Sequence, residues 1–208
     1  MTLKKKADFP MEQRRWDVLV IGGASGTGKT SVSYQIASDQ GVGITEFDDV
    51  VEAIKAMTTP QQQPTLHYWD THPEAMSWTP QQIVELTHAV REQLHPAAEA
   101  VVRNHLETEV PIVLEGDYLL PRLVSQARFG SAAAAGRVRG VFLFEPDEEQ
   151  ISANLSRREP AGGDMTVRAH VSWMLNEALR LECDRVGVPA LTARPWATLL
   201  DRVRAAAM

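Results

Sequence analysis

One eight-residue pattern constrains the fold of this 208-residue chain more than any other feature. Residues 23–30 read Gly-Ala-Ser-Gly-Thr-Gly-Lys-Thr, a full match to G-x-x-x-x-G-K-S/T. An apolar run rich in Val and Ile precedes the pattern and a helical pattern follows it. This strand–loop–helix arrangement binds phosphate groups. The sequence therefore predicts a nucleotide-binding site at this loop.

Each residue type in the loop suits a phosphate ligand. Glycines let successive backbone N–H groups point inward at phosphate oxygens, Lys29 bridges the β- and γ-phosphates, and the Thr30 hydroxyl helps to hold Mg²⁺. We expect ATP rather than GTP, because the chain has no Asn/Thr-Lys-x-Asp motif that reads guanine. The loop residues predicted to contact the nucleotide are Gly23, Ser25, Gly26, Thr27, Gly28, Lys29, Thr30 and Ser31.

The rest of the chain alternates short β-branched runs with helical patterns, which indicates a parallel sheet covered by helices on both faces. The predicted strands are 17–21, 43–47, 111–115, 139–144 and 188–192. The predicted helices are 30–38, 49–57, a long one from 79 that is kinked or broken before Pro96, 147–158, 165–186 and 196–207. The predicted fold class is a three-layer α/β/α sandwich.

The domain organisation is simple. We predict a polar, basic arm at 1–15 and one domain at 16–208, with an irregular insertion at about 58–78 and a lid at about 157–168. A net charge of −6 argues against nucleic acid or an anionic membrane as a partner. No apolar run is long enough to cross a bilayer and none forms a signal peptide, so we expect a cytoplasmic monomer or homodimer. The single cysteine, Cys183, is expected to be a core residue.

Two acidic sites follow predicted strands. Asp48 comes after the second strand and should point into the same crevice as Lys29, because ligands of open α/β sheets sit outside the carboxyl ends of the strands. A carboxylate there can accept a proton from a substrate hydroxyl or organise Mg²⁺, although capping the next helix is the alternative. Asp49 is either that cap or a substrate contact. After the third strand, Glu115 is expected to hold Mg²⁺, partly through water, while Asp117 contacts substrate or caps a turn.

A group of arginines surrounds a predicted chain break at 160–163. Arg157 and Arg158 end the preceding helix, and Arg168 lies beyond the break. Arg is suited to spreading the negative charge of a transferred phosphoryl group. One of these side chains is therefore a candidate catalytic residue, the alternative being an ordinary cationic helix end in solvent.

These motifs together resemble the nucleoside monophosphate kinase-like branch of P-loop kinases. Within it the chain looks most like the 2-phosphoglycerate kinase-related and chloramphenicol phosphotransferase-like proteins, which share the Gly-Gly-x-Ser-x-x-Gly-Lys loop seen at 22–29 and an Asp after the second strand. The resemblance implies a P-loop NTPase fold with sheet order 2-3-1-4-5. It also implies a role as base or substrate anchor for Asp48, and it covers most of 16–200 as an order of elements.

Two further segments are interpreted through this resemblance. Arg194-Pro195-Trp196 follows the fifth strand, where the adenine ring usually rests, so Arg194 is a nucleotide candidate and Trp196 either stacks there or begins the last helix. The insertion lies where such kinases hold their acceptor, and His67, Tyr68 and Trp69 are candidate acceptor contacts. Packing of the insertion onto the core is an equal alternative, and a zinc site from His67, Asp70 and His72 is a weaker one.

The leading hypothesis is an ATP- and Mg²⁺-dependent kinase that transfers the γ-phosphoryl group to a hydroxyl of a metabolite or an antibiotic-like small molecule. Lys29, Asp48, Arg157 and Arg158 are its predicted catalytic residues. The alternatives are a nucleotide-dependent regulatory ATPase acting on a protein partner, and a toxin-type kinase acting on a nucleotide sugar.

Overall fold

The computed structural model describes residues 14–208, so the predicted arm lies outside them except for its last two residues. The strands are β1 Val18–Gly22, β2 Gly43–Glu46, β3 Ile112–Gly116, β4 Arg128–Phe129, β5 Ala132–Ala133, β6 Val138–Phe144 and β7 Ala190–Thr192. The α-helices are α1 Lys29–Gln40, α2 Phe47–Met57, α3 Tyr68–Thr71, α4 Pro80–Thr108, α5 Glu148–Arg158, α6 Thr166–Val186 and α7 Leu199–Ala206. Short 3-10 helices occupy Pro73–Ser77, Pro121–Leu123 and Trp196–Thr198.

Five parallel strands form the central sheet in the order β2-β3-β1-β6-β7. The predicted fold class is confirmed. The labels differ from the predicted 2-3-1-4-5 only because a small hairpin, β4–β5, comes between the third and fourth strands of the sheet. β1 is at the centre and is paired on both sides, with Gly22 opposite Gly116 on one flank and Phe142 on the other. All five of its residues are buried, which explains its unbroken apolar run.

The two faces of the sheet bury separate cores. Val18 and Val20 of β1 face a cluster that includes residues of α2, α4 and α6, whereas Leu19 and Ile21 face a cluster with α1 and α7. This alternation is the period of two expected of a strand. Cys183 lies inside the first cluster, as the sequence predicted, and burial raises the pKa of its thiol to about 12.

The second strand is shorter than predicted. It ends at Glu46, and α2 begins at Phe47, so Asp48 and Asp49 lie in the first turn of a helix rather than at a strand end. The Phe47 side chain is fully buried in the core at this point. Two carboxylates in a first turn also interact favourably with the positive end of the helix dipole. Both effects favour an earlier helix start than the β-branched pattern suggested.

The long fourth helix begins as predicted but does not break at Pro96. Thr79 and Gln82 form a complete capping box, and Pro80 occupies the first turn. The helix then continues through Pro96 to Thr108. Leu94 and Ala98, on either side of the proline, are both buried in the core. Tertiary packing on both flanks therefore outweighs the hydrogen bond that proline removes.

The insertion is more regular than the sequence suggested. It contains α3 and the 3-10 helix Pro73–Ser77 instead of continuous loop. The hairpin β4–β5 was not predicted, and Gly130 at its turn adopts a positive φ of 58°. Between residues 14 and 208, no helix combines the length and the apolar character that crossing a bilayer requires.

Candidate nucleotide and acceptor site

Hydrogen bonds within the loop between β1 and α1, and from helices α5 and α6, fix its shape. The Thr27 hydroxyl donates to the Ala24 carbonyl at 2.9 Å. Asn154 of α5 donates through Nδ2 to the Gly26 carbonyl at 2.8 Å, and the Ala24 N–H donates to Oδ1 of Asn176 in α6 at 3.4 Å. The loop is therefore fixed in shape without a ligand, which lowers the entropic cost of binding one.

Two glycines of the loop occupy positions that no larger residue can share. A Cβ on Gly23, at φ 141°, would lie 2.2 Å from the Leu143 carbonyl oxygen. A Cβ on Gly28, at φ 81°, would lie 2.5 Å from the ring of Trp196. The backbone of the loop can therefore approach a ligand closely and bend sharply, as a phosphate cradle requires.

Lys29, the first residue of α1, turns its side chain inward. It is only 5% exposed, donates to the Ala24 carbonyl at 3.0 Å and forms an ion pair with Asp117. A second carboxylate, on Glu115, lies 3.9 Å from its ammonium group. The sequence analysis assigned Lys29 to phosphate and Asp117 to substrate, but did not predict that the two would meet. The two acids at and just after the end of β3 thus compensate the charge of Lys29.

Oxygen donors suitable for Mg²⁺ converge beside the lysine. The Thr30 hydroxyl donates to Glu115 Oε2 at 3.4 Å, and Asp117 lies on the other side of Lys29. Mg²⁺ binds through one or two carboxylates and hydroxyls and completes its shell with water and phosphate oxygens. This donor set fits that chemistry. Between residues 14 and 208, no three His, Cys, Asp or Glu side chains cluster as a dedicated metal site, so the zinc alternative gains no support.

The surroundings of Glu115 favour the protonated form of its carboxyl group. Burial, and the nearby charges of Asp117, Asp48 and Glu46, raise its pKa to about 7, although Lys29 opposes the rise. The folded protein therefore holds a proton on this group more tightly than the unfolded chain does. The ionised form lowers stability progressively as the pH rises from about 4.5 to 7.

We expect the Glu115→Gln substitution to stabilise the metal-free protein while impairing phosphate chemistry. The gain should be small at pH 5 and should approach about 3 kcal/mol at pH 8, since each pKa unit corresponds to roughly 1.4 kcal/mol. Denaturant unfolding of both proteins at the two pH values measures it. Equal unfolding free energies at pH 8 would contradict the expectation.

Asp48 lies at the same edge of the sheet as Asp117, since Glu46 and Glu115, two residues before them, are register partners in neighbouring strands. The Asp48 side chain reaches solvent, yet the surrounding protein limits its hydration, and this desolvation together with the charge of Asp117 raises its pKa, while Lys29 opposes the rise. Desolvation also disfavours the Asp117 anion, but Lys29, Arg91 and a Ser25 hydrogen bond outweigh it, so the pKa of Asp117 is lowered. Two neighbouring carboxylates thus have their proton affinities moved in opposite directions, as in acid–base sites.

A cavity of about 520 Å³ opens beside the loop. Gly26, Gly28 and Thr30 form one wall, and side chains of α5, α7 and the 3-10 helix before it form the others, among them Asn154, Arg157, Trp196 and Leu200. Trp196 begins the last helical segment, as one of the two alternatives predicted, and it also lines this cavity, while its stacking on adenine stays a prediction. Arg194 is not among the lining residues; it pairs with the buried Glu145 at 2.7 Å and with Asp147 at 3.1 Å.

Two of the three candidate lid arginines pair with the carboxylate of Glu159. Glu159 accepts from Arg158 at 2.9 Å and from Arg168 at 2.6 Å, and together these charged hydrogen bonds lower its pKa to about 2. Arg158 also donates to the Ser25 hydroxyl of the loop at 3.3 Å. Arg157 and Arg158 both line the cavity. Arg158 thus contacts the loop, the cavity and Glu159, whereas Arg168 pairs with Glu159.

The aromatic residues of the insertion mainly contact one another. Tyr68 stacks on His72 with ring centroids 3.9 Å apart and also touches Trp78, which in turn lies 6.5 Å from Trp69. His67 is buried and forms a hydrogen bond of 3.0 Å with the Thr58 hydroxyl. Trp69 keeps 37% of its surface exposed. Acceptor contacts by His67, Tyr68 and Trp69 stay a prediction.

Three residues of the site were missed by the sequence analysis. Asn154 and Asn176 support the loop from α5 and α6, and Arg91 of α4 donates to the Asp117 carbonyl at 3.0 Å. A buried polar residue within an apolar helix face was the only signal available. Such a signal marks Arg91 and Asn176 as unusual but does not say what they contact.

Fold and loop together define a P-loop nucleotide-binding protein. A family profile described as "AAA domain" matches residues 18–180. The chain belongs to this family. No curated protein shows a significant sequence match to it.

Solved structures share the fold across nearly the whole chain. A gluconokinase from Sinorhizobium meliloti 1021 has a TM-score of 0.50 and 20% identity, and the match covers 94% of this chain and 93% of that one. TT1252 from Thermus thermophilus has a TM-score of 0.52 and 14% identity, covering 93% and 96%. At these identities the likeness concerns the fold. It confirms the predicted three-layer P-loop fold, while the resemblance to small-molecule kinases belongs to the proposed function and the two narrower subgroups stay a prediction.

Proposed function

We propose that the protein transfers the γ-phosphoryl group of ATP to a hydroxyl group of a small molecule. The observation that carries the proposal is the placement of Asp48, in the first turn of α2, at the same edge of the sheet as Asp117. Each acid follows, by two residues, one member of the Glu46–Glu115 pair of neighbouring strands, and Asp117 in turn pairs with Lys29. A protein that only binds or hydrolyses nucleotide needs the loop and a metal-binding acid. An additional carboxylate with raised proton affinity on the acceptor side suits the removal of a proton from a substrate hydroxyl.

The residues take the following roles in this proposal. Loop N–H groups and Lys29 bind the β- and γ-phosphates, after Lys29 has exchanged its acidic partners for phosphate oxygens. Thr30 and Glu115 would hold Mg²⁺, which when bound neutralises charge on the phosphates. Asp48 orients the acceptor hydroxyl and takes its proton. Arg157 or Arg158, at the lid proposed for 157–168, stabilises the charge on the transferred group.

The cavity beside the loop is the proposed site for the base of ATP. Trp196 offers an aromatic surface there, and Arg157 and Asn154 add polar groups on the opposite side. We expect Trp196→Ala to weaken ATP binding by about tenfold, because stacking of a base on an aromatic ring contributes roughly 1–3 kcal/mol. Titration with a fluorescent ATP analogue measures the change. Unaltered affinity in a folded variant would place the base elsewhere.

A screen of hydroxyl-bearing metabolites for ATP consumption by the purified protein tests the function. The gluconokinase that shares the fold makes D-gluconate a reasonable first acceptor to include. Product should appear only with a suitable acceptor and not with the Lys29→Ala variant. Rapid ATP hydrolysis that no acceptor accelerates would favour the regulatory ATPase instead, and stimulation by an added protein would strengthen that alternative.

A further inference from the structure

Arg91 is a buried cation that the proposed reaction does not yet use. It lies in α4 with 1% of its surface exposed, and it is among the largest fully buried side chains of residues 14–208. Desolvation lowers the pKa of Arg91 to about 10, although Asp117, Tyr118 and Glu182 oppose this. The guanidinium is therefore still charged at neutral pH. Removing a charge from water is unfavourable unless the group is paired and fully hydrogen-bonded.

The hydrogen bonds of Arg91 do not account for its burial. Its Nε donates to the Asp117 backbone carbonyl at 3.0 Å. No protein acceptor among the described residues lies within hydrogen-bond distance of its buried Nη1. An apolar side chain of similar volume would fill the same space without this cost. A charge retained under such conditions points to a task beyond packing.

The residue that Arg91 contacts, Asp117, lies in the segment that follows β3. Asp117 pairs through its carboxylate with Lys29, and its backbone carbonyl is tied to Arg91. When a nucleotide binds, Lys29 has to turn towards the phosphates. The Ser25 hydroxyl and Arg91 are then the groups still attracting Asp117, of which Arg91 alone carries a charge and belongs to a rigid helix.

We propose that Arg91 is a positioning residue that keeps Asp117, the predicted substrate contact, in place for phosphoryl transfer after Lys29 has turned to the nucleotide. Arg91 touches neither nucleotide nor acceptor in this arrangement and acts through Asp117. The inference rests on the proposed function for its catalytic consequence. The contact between Arg91 and Asp117 itself is independent of that function.

A double-mutant cycle of Arg91→Met and Asp117→Asn tests the proposal. With the acceptor identified by the screen, Arg91→Met should lower kcat at least tenfold while changing the KM for ATP less than threefold. Adding Asp117→Asn to that variant should then change kcat less than twofold. Arg122→Met is the matched control, because Arg122 pairs with Glu92 on the surface beside the same helix, and it should keep kcat within twofold.

Two results would overturn the proposal. One is a folded Arg91→Met protein with wild-type kcat. The other is a double variant whose loss in kcat equals the product of the losses in the two single variants. If Arg91→Met does not fold, Arg91→Lys takes its place, since it keeps the charge but not the guanidinium geometry. It should lose at least threefold in kcat, and a wild-type kcat would be equally decisive. If no acceptor in the screen accelerates ATP consumption by the wild-type protein, the proposed function is wrong. The same cycle, with the same limits, is then measured on the acceptor-independent hydrolysis of Mg²⁺-ATP.

Discussion

Asp48→Asn should lower kcat for phosphoryl transfer at least a hundredfold while leaving ATP affinity within about threefold of the wild type. The asparagine has nearly the same shape but cannot accept the proton of the acceptor hydroxyl, and general base catalysis contributes about 10²–10⁴-fold to such rates. The predicted nucleotide contacts belong to the loop, the start of α1 and the cavity beside them, so they should be unaffected. Steady-state kinetics and ATP titration on the same preparations separate the two effects.

Glu52→Gln is the matched control for this substitution. Glu52 lies one turn further along α2 and is exposed, so its loss should change kcat less than twofold. If Asp48→Asn retains a near wild-type rate, Asp48 is only a helix-terminal acid and the assignment of the base is wrong.

Lys29→Ala should lower kcat for phosphoryl transfer by about 10²–10³-fold or more. The substitution removes a fixed cation beside the negative charge of the transferred phosphoryl group. ATP binding should weaken as well, since the ammonium group is a ground-state contact of the phosphates. Product formation and ATP titration again provide the two measurements.

The structure adds a second expectation for this variant. Lys29 balances Asp117 and Glu115 in the free protein, so its removal leaves neighbouring carboxylates uncompensated and should lower the melting temperature. Lys55→Ala removes a lysine that pairs with Asp70 instead, and should leave ATP affinity unchanged. A folded Lys29→Ala protein that transfers phosphate at the wild-type rate would refute the role of the loop.

The loop and the strands of the central sheet were predictable because residues close together in the sequence determine both. The pattern at 23–30 needs a particular backbone path, and a strand buried on both faces needs an unbroken apolar run such as 17–21. Neither depends on distant residues. The same holds for the start of α4, where Thr79, Pro80 and Gln82 specify a helix terminus among themselves.

The features that were missed or wrong depend on packing between distant segments. Helix α4 continues through Pro96 because Leu94 and Ala98, before and after the proline, are buried against other elements. Arg91 and Asn176 acquire their roles only when α4 and α6 bring them against Asp117 and the loop. The ion pair of Lys29 and Asp117 joins residues 88 positions apart. Sequence patterns identify such side chains as candidates, but their partners follow from the tertiary structure.

The capping box at the start of α4 makes this helix end independent of the segment that precedes it. Because Thr79 and Gln82 satisfy the free backbone groups of the helix end locally, α4 does not depend on the preceding residues to begin. From this point it extends about 43 Å at 1.5 Å per residue and carries Arg91 along its inner face. The segment between Met57 and Thr79 pairs with the end of α2 through His67 and Asp70, and Leu66 is its buried residue in the main core. A different segment could therefore be exchanged there without altering the start of α4, provided that an apolar residue takes the place of Leu66.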